Sequence, residues 1–165
     1  MPFLTKLLFK LVADRHRGKR DGGKESGVVT KTSLNCVLLA DRHHGLTEGV
    51  RRLLATAFDS VVMVADEASL IEGANRLQPD VAIVDLSLAP DRSLNWLQAL
   101  RQDCPDIKVI VLSVHDERSV RDAVLKAGAD AFVLKRAIAT NLLNVVDAVR
   151  RNPCTAVLPC DRSRG

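Results

Sequence analysis

The sequence of 165 residues contains no tyrosine, and only 3% of its residues are aromatic. A core of this composition must consist mainly of Val, Leu, Ile and Ala, as in layered sheets of strands and helices. No apolar run approaches the roughly 18–20 residues that a membrane-spanning helix needs, so no such helix is predicted. The four cysteines lack metal-ligand spacing and give no sign of a disulfide framework, which favours a reducing, cytoplasmic compartment.

The central part of the chain, residues 35–151, has no excess of basic over acidic residues. Residues 1–34 contain eight Lys or Arg against three acids, a net charge of +5. Residues 35–151 contain fourteen Lys or Arg against sixteen acids, a net charge of −2. A nucleic-acid-binding domain with a basic face is therefore not indicated, and direct sequence-specific DNA binding is not expected.

The two ends of the chain differ in composition from its centre. Residues 1–34 are predicted to be a basic, mostly flexible arm, and residues 152–165 a disordered tail. Within the arm, apolar residues and two lysines fall on opposite sides of a short amphipathic helix over residues 3–12. A frayed or partner-dependent tail is the preferred interpretation, and weak contact of such a helix with an anionic membrane surface is the alternative.

From residue 35 to residue 151, five short apolar runs alternate with segments of helical periodicity. The predicted strands are Cys36–Ala40, Val61–Ala65, Val81–Val84, Val109–Leu112 and Ala131–Leu134. This alternation predicts a single (βα)5 domain, a doubly wound five-stranded parallel sheet with helices on both faces. Asp66 and Thr140 are expected to cap two helices at their N-termini, and Gly128 to end another.

Polar residues stand at the ends of four predicted strands: Asp41, Asp85, Ser113 and Lys135. The carboxyl ends of parallel strands share one edge of the sheet, where open α/β folds bind ligands, so these side chains are expected to converge. A carboxylate there can attack an activated phosphoryl group, while a lysine and a hydroxyl stabilise the added charge. A Mg²⁺ ion held by carboxylate oxygens normally completes such a site.

These residues lie in the segments L-L-A-D-R-H, P-D-V-A-I-V-D-L-S-L, V-I-V-L-S-V-H-D-E and G-A-D-A-F-V-L-K. In residue type, order and strand position, the segments resemble the receiver domain of two-component response regulators. They are most similar to receivers that precede helix-turn-helix DNA-binding domains. Over residues 35–151 the resemblance implies a flavodoxin-like receiver that is not an enzyme. It would accept a phosphoryl group from a sensor histidine kinase or a phosphotransfer protein.

The resemblance also implies a role for individual residues. Asp85 matches the phosphoacceptor, and Asp41 matches the first member of the family's acidic pair. Ser113, Phe132 and Lys135 match the residues that bind the phosphoryl group or respond to it. The implied Mg²⁺ ligands are Asp41, Asp85 and the backbone carbonyl of Ser87.

One departure from the family pattern concerns the metal. Arg42 stands where the family has its second acid, so an oxygen ligand is lost and a cation is added. Two unit charges about 4 Å apart interact by about 4 kcal/mol at an effective dielectric constant near 20, so Arg42 is expected to weaken Mg²⁺ binding. Alternatively, its guanidinium pairs with Asp41 and Asp85 and imitates the ion. Ala89-Pro90 and Ser93 also alter the loop after the acceptor.

Two functions stay open from the sequence. The first is a single-domain receiver in phosphorelay signalling, which acts through a downstream protein target and can form a homodimer. The second is a phosphorylation-independent interaction module that Arg42 locks in one conformation. A nucleotide- or flavin-binding domain is disfavoured, since only Gly45 and Gly49 follow the first strand closely. Three histidines near the predicted crevice are interpreted as loop residues with no metal role: His43, His44 and His115.

Overall fold

A computed structural model describes residues 35–89, 91 and 93–151, without the side chains of residues 44–46. The predicted arm at 1–34, its helix over 3–12 and the tail at 152–165 lie outside these residues. Their assignment as separate regions therefore stays a prediction. Among the described residues, no helix has the length and apolar character that crossing a membrane requires.

The described chain forms one parallel sheet of five strands, as the sequence predicts. The strands are β1 (Cys36–Ala40), β2 (Ser60–Val64), β3 (Val81–Asp85), β4 (Lys108–Ser113) and β5 (Ala131–Leu134). Their order across the sheet is β2-β1-β3-β4-β5. The (βα)5 doubly wound fold is confirmed, and each observed strand lies within about one residue of its predicted bounds.

The central strands are buried on both faces, which explains their unbroken apolar runs. Every residue of β1 and β3 is buried, and so are the last five of β4. Alternate side chains of a strand point to opposite faces, so both faces need apolar residues when helices cover both. Burial of apolar surface contributes about 25 cal/mol per Å² to folding, and this sheet concentrates it along three neighbouring strands.

Five helices cover the sheet. They are α1 (His44–Leu54), α2 (Glu67–Leu77), α3 (Asn95–Asp103), α4 (Arg118–Lys126) and α5 (Ile138–Arg151). Leu54 of α1 and Leu142 of α5 belong to one core cluster with Leu39 and Ile83 of the sheet. Helices α2 and α3 contact each other, and α4 packs against β5.

The predicted helix ends agree with the structure in two cases and differ in a third. The Asp66 carboxylate accepts a hydrogen bond from the Ser69 backbone N–H and caps α2. Gly128 follows the end of α4 with φ of +114°, a conformation that glycine adopts without strain. The prediction for Thr140 is wrong: α5 begins at Ile138, and the Thr140 hydroxyl donates to the carbonyl oxygen of Ala137 instead.

The strand order creates a crevice at the carboxyl edge of the sheet. After β1 the chain moves outward to β2, and it then returns to the other side of β1 to form β3. The connections after β1 and β3 therefore leave in opposite directions and open a gap between them. Asp41 follows β1 directly and Asp85 ends β3, so both acids lie at this gap.

Candidate functional site at the carboxyl edge

Two buried carboxylates form the centre of the crevice. Asp41 is 4% exposed and Asp85 is 2% exposed. The Asp41 Oδ1 atom accepts a hydrogen bond of 2.8 Å from the backbone N–H of His43. The Asp85 Oδ1 atom accepts one of 3.2 Å from the backbone N–H of Ser87. Each carboxylate is thus oriented by the backbone two residues further along the chain.

Lys135 joins the two carboxylates. This lysine follows β5, and its Nζ atom lies 2.7 Å from Asp85 Oδ2 and 3.3 Å from Asp41 Oδ2. Its side chain is only 13% exposed, so solvent screens these contacts weakly. The structure therefore brings together three of the strand-end residues predicted from sequence, although they lie up to 94 positions apart in the chain.

The contacts of Asp85 determine its protonation. Burial by itself would raise the pKa of the Asp85 carboxyl, but the hydrogen bond from Lys135 opposes burial. Two hydrogen bonds from Ser87 and the positive charge of Lys135 act in the same direction. Together they hold the pKa of Asp85 below its usual value, so the side chain is an anion at neutral pH. An ionised carboxylate is the form that can act as a nucleophile.

Two serines complete the polar wall. The Ser87 hydroxyl donates a hydrogen bond of 2.7 Å to Asp85 Oδ2. Ser113, the last residue of β4, is 1% exposed, and its Oγ accepts the backbone N–H of His115 at 3.0 Å. With that bond the Ser113 oxygen acts as acceptor, which leaves its hydroxyl proton available to a group in the crevice.

The carboxylate of Asp85 faces a cavity of about 350 Å³. Its lining includes Ser87, Ser113 and Lys135, which the sequence predicts, and also His43 and His115, which the sequence interpretation leaves as plain loop residues. The His43 Nδ1 atom lies 3.4 Å from Asp41 Oδ1 and 3.7 Å from Asp85 Oδ2. The only sequence signal for this placement is the position of His43 two residues after a strand-end acid.

Arg42 does not imitate a bound ion in this structure. The residue is exposed, and among the described residues no ion pair joins it to Asp41 or Asp85. The cation between the two carboxylates is Lys135, and the alternative in which Arg42 pairs with them is not observed in this conformation. The loss of the second acid nevertheless remains, so Asp41 and Asp85 are the carboxylates available to a metal here.

Two predicted site residues are not among the described residues that line the cavity: Asp41, which contacts the lining residue Lys135, and Phe132. Phe132 lies within β5, paired in register with Val111, and it is partly buried. A role for this ring would therefore act through packing and not through contact with a ligand.

The donor set suits a divalent cation. One ligand atom each from Asp41, His43 and Asp85 lies within 4.8 Å of the others, close enough to share one ion. Two of these donors are buried carboxylate oxygens, which Mg²⁺ prefers, and the third is an imidazole nitrogen. The residues present thus fit a divalent ion through the two acids. The predicted third ligand, the carbonyl of Ser87, stays a prediction.

The sequence is similar to a known family of protein domains and to several characterised regulators. Residues 37–147 match the family described as the response regulator receiver domain. The chain is 34% identical over 115 residues to the transcriptional regulatory protein DegU of Brevibacillus brevis, covering 68% of this chain and 49% of the relative. It is 38% identical over 114 residues to the nitrate/nitrite response regulator NarP of Escherichia coli, covering 68% and 53%. The chain therefore spans about half the length of these curated relatives.

Solved structures give the same fold. The RcsB response regulator of Salmonella typhimurium superposes with a TM-score of 0.64 at 26% identity, covering 73% of this chain and 62% of that one. The signal receiver domain of a NarL response regulator from Mycobacterium tuberculosis superposes with a TM-score of 0.62 at 29% identity. That match covers 71% of this chain and 97% of the receiver domain.

Proposed function

The chain belongs to the response regulator receiver domain family, and from this premise we propose that Asp85 is its phosphoacceptor in a phosphorelay. The phosphoryl donor is a sensor histidine kinase or a phosphotransfer protein. The observation that carries the proposal is the 2.7 Å contact between Lys135 Nζ and Asp85 Oδ2 at the wall of an open cavity. An ionised acid beside a fixed cation is poised both to attack a phosphoryl group and to stabilise its charge.

The proposed step is a transfer between two protein side chains. A carboxylate oxygen of Asp85 attacks the phosphorus atom and forms a P–O bond, while the P–N bond to the donor histidine breaks and its electron pair stays on the imidazole. The new phosphoryl oxygens then accept hydrogen bonds from Lys135 Nζ and the Ser113 hydroxyl. A divalent ion held by Asp41, Asp85 and the Ser87 carbonyl would supply further positive charge when bound.

Signalling is proposed to follow through contacts with a downstream protein target. Phosphorylation would bias the packing of β4, α4 and β5, because Ser113 ends β4 and Phe132 lies in β5. A homodimer and weak membrane contact by the N-terminal arm remain predictions. The relative DegU is by name a transcriptional regulatory protein, so the expected lack of direct DNA binding also remains a prediction. A cytoplasmic location likewise remains a prediction.

The test is the mass of the intact protein after incubation with a small phosphodonor. Acetyl phosphate or amidophosphate is supplied with Mg²⁺, and wild type is compared with Asp85→Asn. The matched control is Asp91→Asn, since Asp91 is an exposed acid close to Asp85 in sequence. A third variant, Arg42→Asp, restores the acid that the family pattern has at that position.

We expect wild type and Asp91→Asn to gain one phosphoryl group, and Asp85→Asn to gain none. Arg42→Asp is expected to be labelled faster at low Mg²⁺, because it regains an oxygen ligand and loses a cation. No gain by wild type, under conditions where Arg42→Asp is labelled, would contradict the proposal. That result would instead support the phosphorylation-independent interaction module.

A further inference from the structure

Two buried carboxylates in the crevice share one permanently charged partner. Asp41 and Asp85 are both buried, and the ammonium of Lys135 pairs with both of them, while the imidazole of His43 is the other basic group close to both. Arg42 is exposed and pairs with neither acid among the described residues. A buried carboxylate without full compensation is costly, so the crevice favours the binding of a further cation.

The imidazole of His43 lies where such a cation would bind. Its side chain is 67% exposed, so its nitrogen can reach a ligand without first being uncovered. The backbone around it is fixed, because its N–H donates to Asp41 Oδ1 and its carbonyl accepts the Thr47 hydroxyl. His43 is therefore held beside Asp41 by the chain and not only by its own rotamer.

We propose that His43 is a metal ligand, and that Asp41, His43 and Asp85 form a site for an imidazole-binding divalent ion such as Zn²⁺ or Co²⁺ in preference to Mg²⁺. The inference concerns the crevice of the proposed function, but it rests on the positions of the three side chains and not on phosphoryl transfer. Mixed sites of carboxylate oxygen and imidazole nitrogen suit first-row transition metals, whereas Mg²⁺ takes oxygen ligands. Arg42 removes the oxygen that would have favoured Mg²⁺.

Two of the three distances between ligand atoms are close to those of this donor set, while the two carboxylate oxygens lie within 4.8 Å of each other. Zinc binds nitrogen and carboxylate oxygen at about 2.0–2.2 Å, so two ligand atoms of a tetrahedral site are about 3.3–3.6 Å apart. The His43 Nδ1 atom is already 3.4 Å from Asp41 Oδ1 and 3.7 Å from Asp85 Oδ2. A small rotation of side chains, with water as the fourth ligand, completes the site.

Lys135 competes with the metal. Its Nζ contacts Asp85 Oδ2, the same oxygen that faces His43. A metal ion bound to Asp85 Oδ2 would repel the ammonium and compete with it for the same oxygen. Metal binding is therefore expected to shift Lys135 away from Asp85. Removal of the ammonium, as in Lys135→Met, should therefore strengthen metal binding.

The experiment measures the affinity of the full chain for Zn²⁺, Co²⁺ and Mg²⁺ by calorimetry at constant pH. All proteins carry Cys154→Ser and Cys160→Ser, so that these two thiols do not bind zinc. The test variant is His43→Ala. The matched control is His115→Ala, because His115 also lines the cavity but pairs with Glu117 and not with the two aspartates. Nuclear magnetic resonance of the His43 ring reports direct ligation.

We expect His43→Ala to bind Zn²⁺ and Co²⁺ roughly tenfold or more weakly, while its Mg²⁺ affinity changes by less than about twofold. His115→Ala should match the parent protein, and Lys135→Met should bind Zn²⁺ more tightly. Equal Zn²⁺ affinity in His43→Ala and the parent, or an equal loss in His115→Ala, would overturn the inference.

Labelling by a phosphodonor separates this inference from the proposed function. If Asp85 is labelled and His43→Ala keeps the parent's Zn²⁺ affinity, the His43 inference fails and the phosphorelay function stands. If His43→Ala loses Zn²⁺ affinity in a protein that no donor labels, the metal site stands and the phosphorelay function fails.

Discussion

At the amino ends of the strands, the acids that precede β3 and β5 accept hydrogen bonds from the backbone of the neighbouring strand. The Asp80 carboxylate accepts a hydrogen bond of 3.1 Å from the backbone N–H of Cys36, and Asp130 accepts one of 2.7 Å from that of Val109. Arg101 reinforces this end by donating to Asp130 and to the carbonyls of residues 105, 107 and 128. Every one of these bonds ties neighbouring parts of the fold together.

At the carboxyl ends, the partners of the acids are more easily exchanged. Asp41 and Asp85 share Lys135, a side chain that can move to another anion. The cavity of about 350 Å³ lies against this edge. An aspartate paired with a cation is thus structural at one edge and available for ligand chemistry at the other. The two cases differ in two respects. At the carboxyl ends the lysine partner can move to another anion, and a cavity lies beside the acids.

The largest expected effect comes from removing the cation at the carboxyl ends of the strands. Lys135→Met should lower the rate of labelling of Asp85 by a phosphodonor about 100-fold or more, because the phosphoryl charge loses its cation. The matched change at the amino edge is Lys108→Met, which removes a lysine 3.7 Å from Asp130 and should leave the labelling rate near that of wild type. The initial rate of mass gain measures both, and equal loss in the two variants would contradict the distinction.

The next largest effect comes from removing the charged donor at the amino ends of the strands. Arg101→Met should lower the free energy of unfolding by about 2–3 kcal/mol, since several carbonyls and Asp130 lose a charged donor. Its control is Arg136→Met at the carboxyl ends of the strands, where the pair with Asp116 is exposed and screened by solvent, so its loss should change stability little. Urea denaturation measures both, and a larger loss for Arg136→Met would reverse the assignment.

A smaller effect concerns pH. The pKa of Asp85 is lowered in the folded protein, because Lys135 and Ser87 outweigh its burial. The stability that depends on its ionised form is therefore present above the unfolded-state pKa, about 3.9. It is lost as the pH falls through the folded-state pKa.

Urea denaturation from pH 7 down to pH 3 checks this sign. The free energy of unfolding of wild type, minus that of Asp85→Asn, should be constant above about pH 5 and decrease at lower pH. An increase of this difference on acidification would show that burial dominates and that the pKa of Asp85 is raised.

Much of the fold could be predicted from the sequence because its signals are local. Apolar runs such as Val81–Val84 and the helical spacing between them depend on near neighbours in the chain. The same holds for Asp66, whose capping bond reaches only three residues. The cap predicted at Thr140 is wrong because a 3-10 turn over Lys135–Ala137 starts the following helix earlier than the capping pattern indicates.

The candidate site was predictable only in part. The strand-end position of Asp41, Asp85 and Lys135 indicates a shared edge, and the structure brings these side chains together. The place of His43 was not predictable, because it depends on the rotation of the chain after β1 and on the bond from its N–H to Asp41. Nor does sequence reveal that Arg42 is exposed, because that depends on the direction in which this loop leaves the sheet.

Borohydride trapping identifies the side chain that receives the phosphoryl group, which we propose is the carboxylate at position 85. An aspartyl phosphate is reduced to homoserine, so the protein is treated with amidophosphate and Mg²⁺, reduced, digested and sequenced by mass spectrometry. We expect homoserine at position 85 in wild type and nowhere in Asp85→Asn. Homoserine at another aspartate, or none while Arg42→Asp is trapped at position 85, would contradict the proposal.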